Sequence, residues 1–371
     1  MKFHSPARLA AVAVVAALGL AACGSDNNSD SNAGGSGGSG GSGAAYCASG
    51  TLNSSGSTAQ ANAMTQWIKD YQTACGDATV NYNAVGSGQG VTDFTNGQTS
   101  LAGSDSALDP AKGEVDKANA RCKSGNAVNL PTVPGPIAVV YNVAGADNLV
   151  FTPQILAKIF SGKITTWNDP AIAAANSGAK LPNAKITTYH RSDASGTSDN
   201  FTKYLLANDP TDWTYDHNKQ WPGPGGQGAK GSDGVSAAIK GTTNTIGYVE
   251  WSFATQNQLQ MAQIDNGGGP VTLSADSVGK AVSAAKVTGT GDDLTLKLDY
   301  ATKTAGAYPI ILVTYEITCV KGLPTDQAKL VKGFLTYVSS SEGQGKLTAL
   351  GYAPLPTEIQ SKVQAVVAKI S

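Results

Sequence analysis

Three short segments rich in glycine, serine and threonine stand where helices are expected to begin: residues 53–58, 85–90 and 191–198. Small residues let the backbone approach a ligand closely, and the start of a helix offers free N–H donors with a partial positive charge. The serine and threonine hydroxyls add further donors. Together the three segments predict a cage for one tetrahedral oxyanion.

The elements that must hold these segments follow from hydrophobic spacing. Residues 61–74 have helical spacing, 79–85 has the composition of a strand, and the strand at 186–190 leads directly into the third segment and a helix at 199–206. Such repeats of strand, polar loop and helix are typical of α/β layers that bind ligands at the carboxyl ends of strands. Further strands are expected at 101–105, 136–141 and 310–320, and further helices at 152–160 and 325–338.

Composition excludes a global electrostatic attraction. The 371 residues include 26 Lys and Arg against 27 Asp and Glu, so no net field recruits nucleic acid or a membrane surface, and an anion site must be local. With 44 glycines and only 14% charged residues, the chain has the composition of a loop-rich exported protein.

The N-terminus is typical of a secreted lipoprotein. A basic start precedes an apolar run at 9–20 that is too short to span a bilayer, and the run ends in Leu20-Ala21-Ala22-Cys23. This tetrapeptide resembles a bacterial lipobox, which predicts a signal peptide over 1–22 and a lipidated Cys23; an ordinary signal peptide is the alternative. Residues 23–44 are then expected to form a flexible Gly/Ser tether.

Four cysteines follow the tether: Cys47, Cys75, Cys122 and Cys319. Their spacing fits no zinc motif, and an even number in an oxidising location predicts two disulfides, with three connectivities open. In any of them Cys319 bridges back to the first third of the chain, so the C-terminal part is expected to pack against the N-terminal part. No metal site is expected.

In the order of its motifs the chain resembles the PstS family, the phosphate-binding lipoproteins of bacterial phosphate ABC importers, and most of all its cysteine-containing actinobacterial members. The resemblance runs from about residue 52 to about residue 362 and rests on motifs at 56–58, 80–82, 86–88, 103–105, 131–133, 164–169, 191–197 and 245–250. It implies a two-lobed α/β periplasmic-binding-protein fold of type II, with the ligand in the interlobe cleft. Lobe I would comprise 45–138 plus 309–371, and lobe II would comprise 139–308.

The same resemblance implies the site residues. Arg191 would donate bidentate hydrogen bonds to two phosphate oxygens, and Asp193 would orient its guanidinium. At Ala59, where many relatives have an aromatic residue, only the backbone N–H would bind. For each residue the alternative is a helix cap, a polar loop or a surface ion pair. The implied phosphate contacts are Thr58, Ala59, Ser87, Asp105, Arg191, Ser195, Gly196 and Thr197.

Asp105 is unexpected in an anion site, and a structural turn or cap is its alternative role. The resemblance implies that Asp105 accepts the proton that phosphate still carries near neutral pH. Sulfate has no such proton, so acceptor would face acceptor, at a cost on the order of 1–3 kcal/mol or more.

The implied function is capture of inorganic phosphate by a monomeric, non-catalytic receptor that is lipid-anchored on the outer face of the membrane. Its partners would be the permease subunits and ATPase of an importer, with no cofactor and no nucleic acid. Sulfate or molybdate would be alternative ligands. A phosphatase, which Arg191-dependent turnover of a phosphate ester would reveal, and a surface adhesin that has lost binding are alternatives of other classes.

Overall fold

One nine-stranded sheet organises the part of the chain that the structure, a computed structural model, describes: residues 46–123 and 125–371. The strands in chain order are β1 (Gly50–Gly56), β2 (Ala78–Ala84), β3 (Leu101–Ser104), β4 (Ala127–Asn142), β5 (Val150–Phe151), β6 (Thr187–Arg191), β7 (Gln227–Ala229), β8 (Thr245–Glu250), β9 (Gln260–Met261), β10 (Gln263–Asp265), β11 (Pro270–Val271), β12 (Lys286–Val287), β13 (Leu296–Lys297) and β14 (Ile311–Cys319).

Helices connect the strands and cover the sheet. They are α1 (Ala61–Ala74), α2 (Ser87–Thr95), α3 (Glu114–Arg121), α4 (Pro153–Phe160), α5 (Pro170–Ala175), α6 (Gly196–Asn208), α7 (Gly231–Gly241), α8 (Trp251–Gln256), α9 (Ala275–Ser283), α10 (Thr325–Val338), α11 (Ser341–Gly345) and α12 (Thr357–Val367). The helices predicted at 61–74 and 325–338 are confirmed at the same bounds as α1 and α10. The predicted signal peptide, Cys23 and the 23–44 tether lie outside the described residues.

The order of strands in the large sheet is β2-β1-β3-β14-β4-β8-β6-β7, with β9 paired beside β4. Strands β1, β2 and β3 are mutually parallel, as are β6, β7 and β8, while β14 and β4 run antiparallel to their neighbours. Two smaller sheets, β11-β10-β5 and β12-β13, lie apart from it. The carboxyl ends of parallel strands lie at one edge of a sheet. The loops that follow β1, β2 and β3 therefore lie together, and so do those that follow β6, β7 and β8.

Strand β4 belongs to two hydrophobic cores. Its first part contributes Val128, Leu130 and Val133 to a core that also includes α1, α10 and α12, and its second part contributes the run 137–141 to the other core. The predicted strand 136–141 is therefore only the second part of β4. Upstream of Pro136, β4 pairs with β14 across a register shift, although prolines cannot donate to a ladder.

The two cores change over along β14 as well, between Leu312 and Val313. Leu294 and Leu296, which the predicted division assigns to lobe II, pack in the core of β1 to β3. The lobe boundaries at 138/139 and 308/309 remain a prediction.

Two disulfides form, Cys47–Cys75 and Cys122–Cys319. The prediction that Cys319 bridges back to the first third of the chain is confirmed. This second bridge joins the end of α3 to the end of β14 across 197 residues of sequence, and closing so long a loop restricts the unfolded chain strongly. Among the helices that the structure describes, none is both long enough and apolar enough to cross a bilayer.

Candidate functional site

The loops at the carboxyl ends of the parallel strands converge on one buried position. Strand β1 ends at Gly56 and delivers Ser57 and Thr58, β2 leads into α2 at Ser87, and β3 ends beside Asp105. From the other half of the sheet, β6 ends at Arg191 and leads into α6. Burial of the polar side chains is nearly complete, with Ser87, Asp105 and Arg191 at 1%, 2% and 2% exposure.

Glycine is required where the first loop leaves β1. Gly56 has a φ of +144°, and a Cβ there would lie 2.0 Å from the carbonyl oxygen of Gly103. On the other side, a Cβ on Gly90 of α2 would lie 2.5 Å from the Cα of Gly56. The backbone of the first loop is thus packed between β3 and α2, and this packing sets the position of Ser57 and Thr58.

Asp105 lies at the centre and accepts hydrogen bonds from four hydroxyls. Ser57 and Thr314 donate to Oδ1, over 2.5 and 2.8 Å, whereas Ser87 and Thr197 donate to Oδ2 over 3.3 and 3.5 Å. Burial raises the pKa of Asp105, although the Ser57 and Thr314 hydroxyls and the charge of Arg191 act in the opposite direction. The two oxygens therefore differ: Oδ1 is tightly bound by structural hydroxyls, and Oδ2 is held by long contacts alone.

Arg191 supplies the positive charge of the site, and Asp193 orients it. Nε of Arg191 donates to Oδ1 of Asp193 over 2.8 Å, and Nη2 donates to Oδ2. Although burial alone would raise it, the pKa of Asp193 is held below its usual range by this fork and its charge, with the Gly231 N–H contributing as well. The predicted surface alternative fails here, since Arg191 is buried and the pair is 2% and 12% exposed.

The third segment begins α6 against Asp105. Ser195 caps the helix, its Oγ accepting from the N–H groups of Thr197 and Ser198 over 3.1 and 3.4 Å. This capping uses lone pairs of the hydroxyl and leaves its proton available to a ligand. The alternative role of Ser195 as a cap is therefore observed, and it is compatible with binding an anion.

Thr58 contacts the start of α7, and Ala59 packs into a hydrophobic core. The Thr58 hydroxyl is 2.9 Å from that of Ser232, and it accepts from the Ser232 N–H over 3.2 Å. The Ala59 N–H, predicted as a phosphate donor, donates to Ser57 Oγ over 3.0 Å, and the Ala59 side chain is fully buried in the core of the other half. The methyl group of Ala59 is thus accommodated by core packing.

Direct contacts around the site join two halves, the one that holds β1, β2 and β3 and the one that holds β6, β7 and β8. The Gly88 N–H donates to the Ala194 carbonyl over 2.9 Å, Asn200 donates to the Asp105 carbonyl over 2.7 Å, and Ser106 donates to Asp199 over 2.5 Å. Asp199 also binds Lys203 and His217, which hold its pKa well below the usual range even though burial opposes them. The halves are therefore closed on one another in this structure.

Three site residues were missed by the sequence analysis: Ser57, Thr314 and Ser232. Ser57 stood within the first segment beside Thr58 but was not selected. Thr314 and Glu316 interrupt an apolar strand at a spacing of two, which puts both on one face. Gly231-Ser232 begins α7 much as Gly86-Ser87 leads into α2. Each pattern was present in the sequence, and only the fold shows that they meet.

Gly196 provides a test of how closely the halves must approach. A Cβ at Gly196 would lie 2.5 Å from Asp105 Cβ and 2.7 Å from Ser87 Oγ. Gly196→Ala is expected to weaken anion binding by roughly 5- to 150-fold by holding the halves apart, given that overpacking costs about 1–3 kcal/mol. Calorimetric titration with phosphate measures it. Gly279→Ala is the matched control, since nothing lies within 4 Å of that Cβ; wild-type affinity in Gly196→Ala would contradict the expectation.

In residues 46–123 and 125–371, no cluster of three or more His, Cys, Asp or Glu side chains has a geometry that could hold a metal ion. The donors that do cluster are hydroxyls and backbone N–H groups around one guanidinium. Such a set suits an anion with several acceptor oxygens.

Known proteins share both the sequence and the fold. A family model described as a PBP superfamily domain matches residues 41–342. The phosphate-binding protein PstS 3 of Mycobacterium tuberculosis is 45% identical over 370 residues, which cover 98% of each chain. This chain belongs to the PstS family of phosphate-binding proteins. PstS2 of Mycobacterium bovis is 46% identical over 324 residues, or 86% of this chain and 87% of the relative.

Solved structures confirm the predicted two-lobed α/β periplasmic-binding-protein fold of this PstS family member. A high-affinity periplasmic phosphate-binding protein, PfluDING, bound with phosphate, aligns with a TM-score of 0.68 at 22% identity, covering 85% of this chain and 93% of the other. A putative phosphate ABC transporter substrate-binding protein of Clostridium perfringens with bound phosphate aligns with a TM-score of 0.62 at 17% identity, covering 83% and 100%.

Proposed function

We propose that this chain captures inorganic phosphate outside the cytoplasm and passes it, chemically unchanged, to an ABC importer. The proposed phosphate contacts are those predicted from the sequence, with Thr58, Ala59, Ser87, Arg191, Ser195, Gly196 and Thr197 as donors and Asp105 as the acceptor. Ser57, Thr314 and Ser232 are proposed to position them.

The observation that carries the proposal is the asymmetry of Asp105. Its Oδ1 is occupied by Ser57 and Thr314, whereas Oδ2 has only the long contacts from Ser87 and Thr197. Both of those hydroxyls are proposed phosphate donors, so they are expected to turn toward the anion and release Oδ2. A carboxylate oxygen released in this way can accept a hydrogen bond from the remaining proton of phosphate. Sulfate carries no proton at this pH and cannot donate such a bond.

The deciding experiment is calorimetric titration of the purified protein, stripped of bound ligand, with phosphate and then with sulfate at pH 7.5. Tight phosphate binding without sulfate heat supports the proposal. Equal binding of both anions, or of neither, would overturn it. Incubation with a chromogenic phosphate ester separates a receptor from an enzyme, because turnover that is lost in Arg191→Ala would point to catalysis.

The proposed place of action is the extracytoplasmic face of the cell membrane. Cys23 in the lipobox-like Leu20-Ala21-Ala22-Cys23 would carry the acyl chains, and the 23–44 tether would let the receptor reach permease subunits and their ATPase. The chain is proposed to act as a monomer.

Cys23→Ser is expected to abolish fatty-acid labelling and release the protein from the membrane fraction. Labelling with a radioactive fatty acid, followed by fractionation, measures both effects. Undiminished labelling in this variant would place the anchor elsewhere.

A further inference from the structure

A second acidic side chain, Glu316, lies buried directly behind the site. It is fully buried on β14, two residues from Thr314, so both side chains are on the same face of the strand. Neither carboxyl oxygen of Glu316 has a hydrogen-bond partner in the described part of the chain. A buried, unpaired carboxylate costs several kcal/mol, so this group requires an explanation.

The neighbours of Glu316 lead back to the first loop. Glu316 is paired in register with Gly103 of β3, where a Cβ would lie 2.1 Å from Gln60 Nε2 and 2.7 Å from the Tyr82 hydroxyl. Gln60 and Tyr82 therefore fill the space beside Glu316. Gln60 Nε2 donates to the Tyr82 hydroxyl over 3.0 Å, and Tyr82 donates to the Ser57 carbonyl over 2.7 Å.

One atom in this chain of hydrogen bonds is unused. Gln60 Oε1 is buried and, like the Glu316 oxygens, has no partner among the described residues. A protonated Glu316 carries an O–H donor that this amide oxygen can accept. A proton on Glu316 thus gives Gln60 Oε1 a donor, whereas an ionised Glu316 offers that oxygen none and repels Asp105.

The charged environment favours the neutral form. Burial raises the pKa of Glu316 to about 8; the Gln60 amide lowers it, and the negative charge of Asp105 raises it. The other ionisable group that faces it is Tyr82, whose own pKa is raised well above the usual value by burial and then by Glu316. The charge of Arg191 in turn lowers the pKa of Asp105, against burial, which raises it. Burial and then the charge of Asp105 raise the pKa of the buried Glu250.

We propose that Glu316 is a positioning residue and that the protein binds phosphate only while Glu316 is a neutral acid. In this form it supports the first loop through Gln60, Tyr82 and Ser57, and its ionisation sets the upper pH limit of anion binding. This inference rests on the proposed function. Below pH 8 the carboxyl keeps its proton. As the pH rises, ionisation of Glu316 adds a second negative charge behind Asp105. The negative charge of the bound anion disfavours this ionisation, so phosphate binding is accompanied by uptake of a proton at Glu316.

The test is the pH profile of phosphate affinity, measured by calorimetry from pH 7 to 9.5. One linked proton lowers the affinity by up to about tenfold for each pH unit above the pKa. Wild-type affinity is expected to fall about tenfold more between pH 7.5 and 9.5 than that of Glu316→Gln, in which the group cannot ionise. The titration of phosphate itself is common to both proteins and cancels in this ratio. Glu358→Gln is the control, since Glu358 is exposed on α12.

A second measurement counts protons. At pH 8.5, calorimetry in two buffers of different ionisation enthalpy counts the protons that the wild type and Glu316→Gln each take up on binding phosphate. Because phosphate can itself take up a proton, the difference between the two proteins reports on Glu316: a difference of a substantial fraction of one proton supports the inference, and no difference overturns it, as does a Glu316→Gln pH profile as steep as the wild type's. Failure of the wild type to bind phosphate at pH 7 would instead refute the proposed function.

Discussion

Replacing Arg191 with alanine is expected to weaken phosphate binding by about a hundredfold or more. The guanidinium is buried and acts on Asp105 through its positive charge, and a charge-assisted hydrogen bond is worth roughly 1.5–3 kcal/mol. Two such bonds from one fork would account for a loss of this size. Calorimetric titration of Arg191→Ala with phosphate at pH 7.5 gives the ratio of dissociation constants directly.

Arg191→Lys is the informative companion to this variant. Lysine retains the charge but offers no planar fork to two oxygens, so its affinity is expected to fall between those of the wild type and Arg191→Ala. Melting of the ligand-free proteins checks the fold, because Asp193 retains the Gly231 N–H as a donor over 3.0 Å after Arg191 is removed. An Arg191→Ala variant that binds phosphate like the wild type would remove Arg191 from the site.

Asp105→Asn is expected to reduce the preference for phosphate over sulfate by about a hundredfold or more. The amide oxygen must remain at the Oδ1 position to accept from Ser57 and Thr314, so the NH₂ group takes the place of Oδ2. A donor there suits a sulfate oxygen and no longer accepts the proton of phosphate. In the wild type, acceptor facing acceptor costs sulfate roughly 1–3 kcal/mol or more.

The measurement compares phosphate and sulfate affinities in one protein. Loss of the negative charge favours both anions, so only their ratio reports on the proton. Asp326→Asn, an exposed change in the first turn of α10, is the control for neutralising a carboxylate. A wild-type ratio in Asp105→Asn would refute the role of Asp105 as the acceptor of the phosphate proton.

The local elements and the cage could be predicted from the sequence because their signals are local. Apolar spacing gave the bounds of α1 and α10, and Gly/Ser/Thr clusters before helices gave the three loops. The sequence predicted that Cys319 bridges back to the first third of the chain. Its partner was not predicted, because the choice among three cysteines depends on which loops meet in space.

What the sequence did not reveal depends on long-range register. Thr314 reaches Asp105 because β14 pairs antiparallel with β3, 209 residues apart in sequence. Ser232 meets Thr58 across 174 residues because the two halves close on each other. The full extent of β4 was missed for a related reason, since its first part is defined by the distant pairing with β14 and its second part by that with β8.

The continuity of β4 also limits how proteins of this family can be recombined. A chimera that joins one half of this chain to the other half of a 45% identical relative must take β4 from one parent. That strand would then pack with Val128 and Val133 against one set of side chains and with the run 137–141 against another. The half taken from the other parent would then pack its core side chains against a β4 whose side chains fit a different core. A graft of binding specificity is therefore better confined to the loops at the ends of the strands, which leaves β4 itself unchanged.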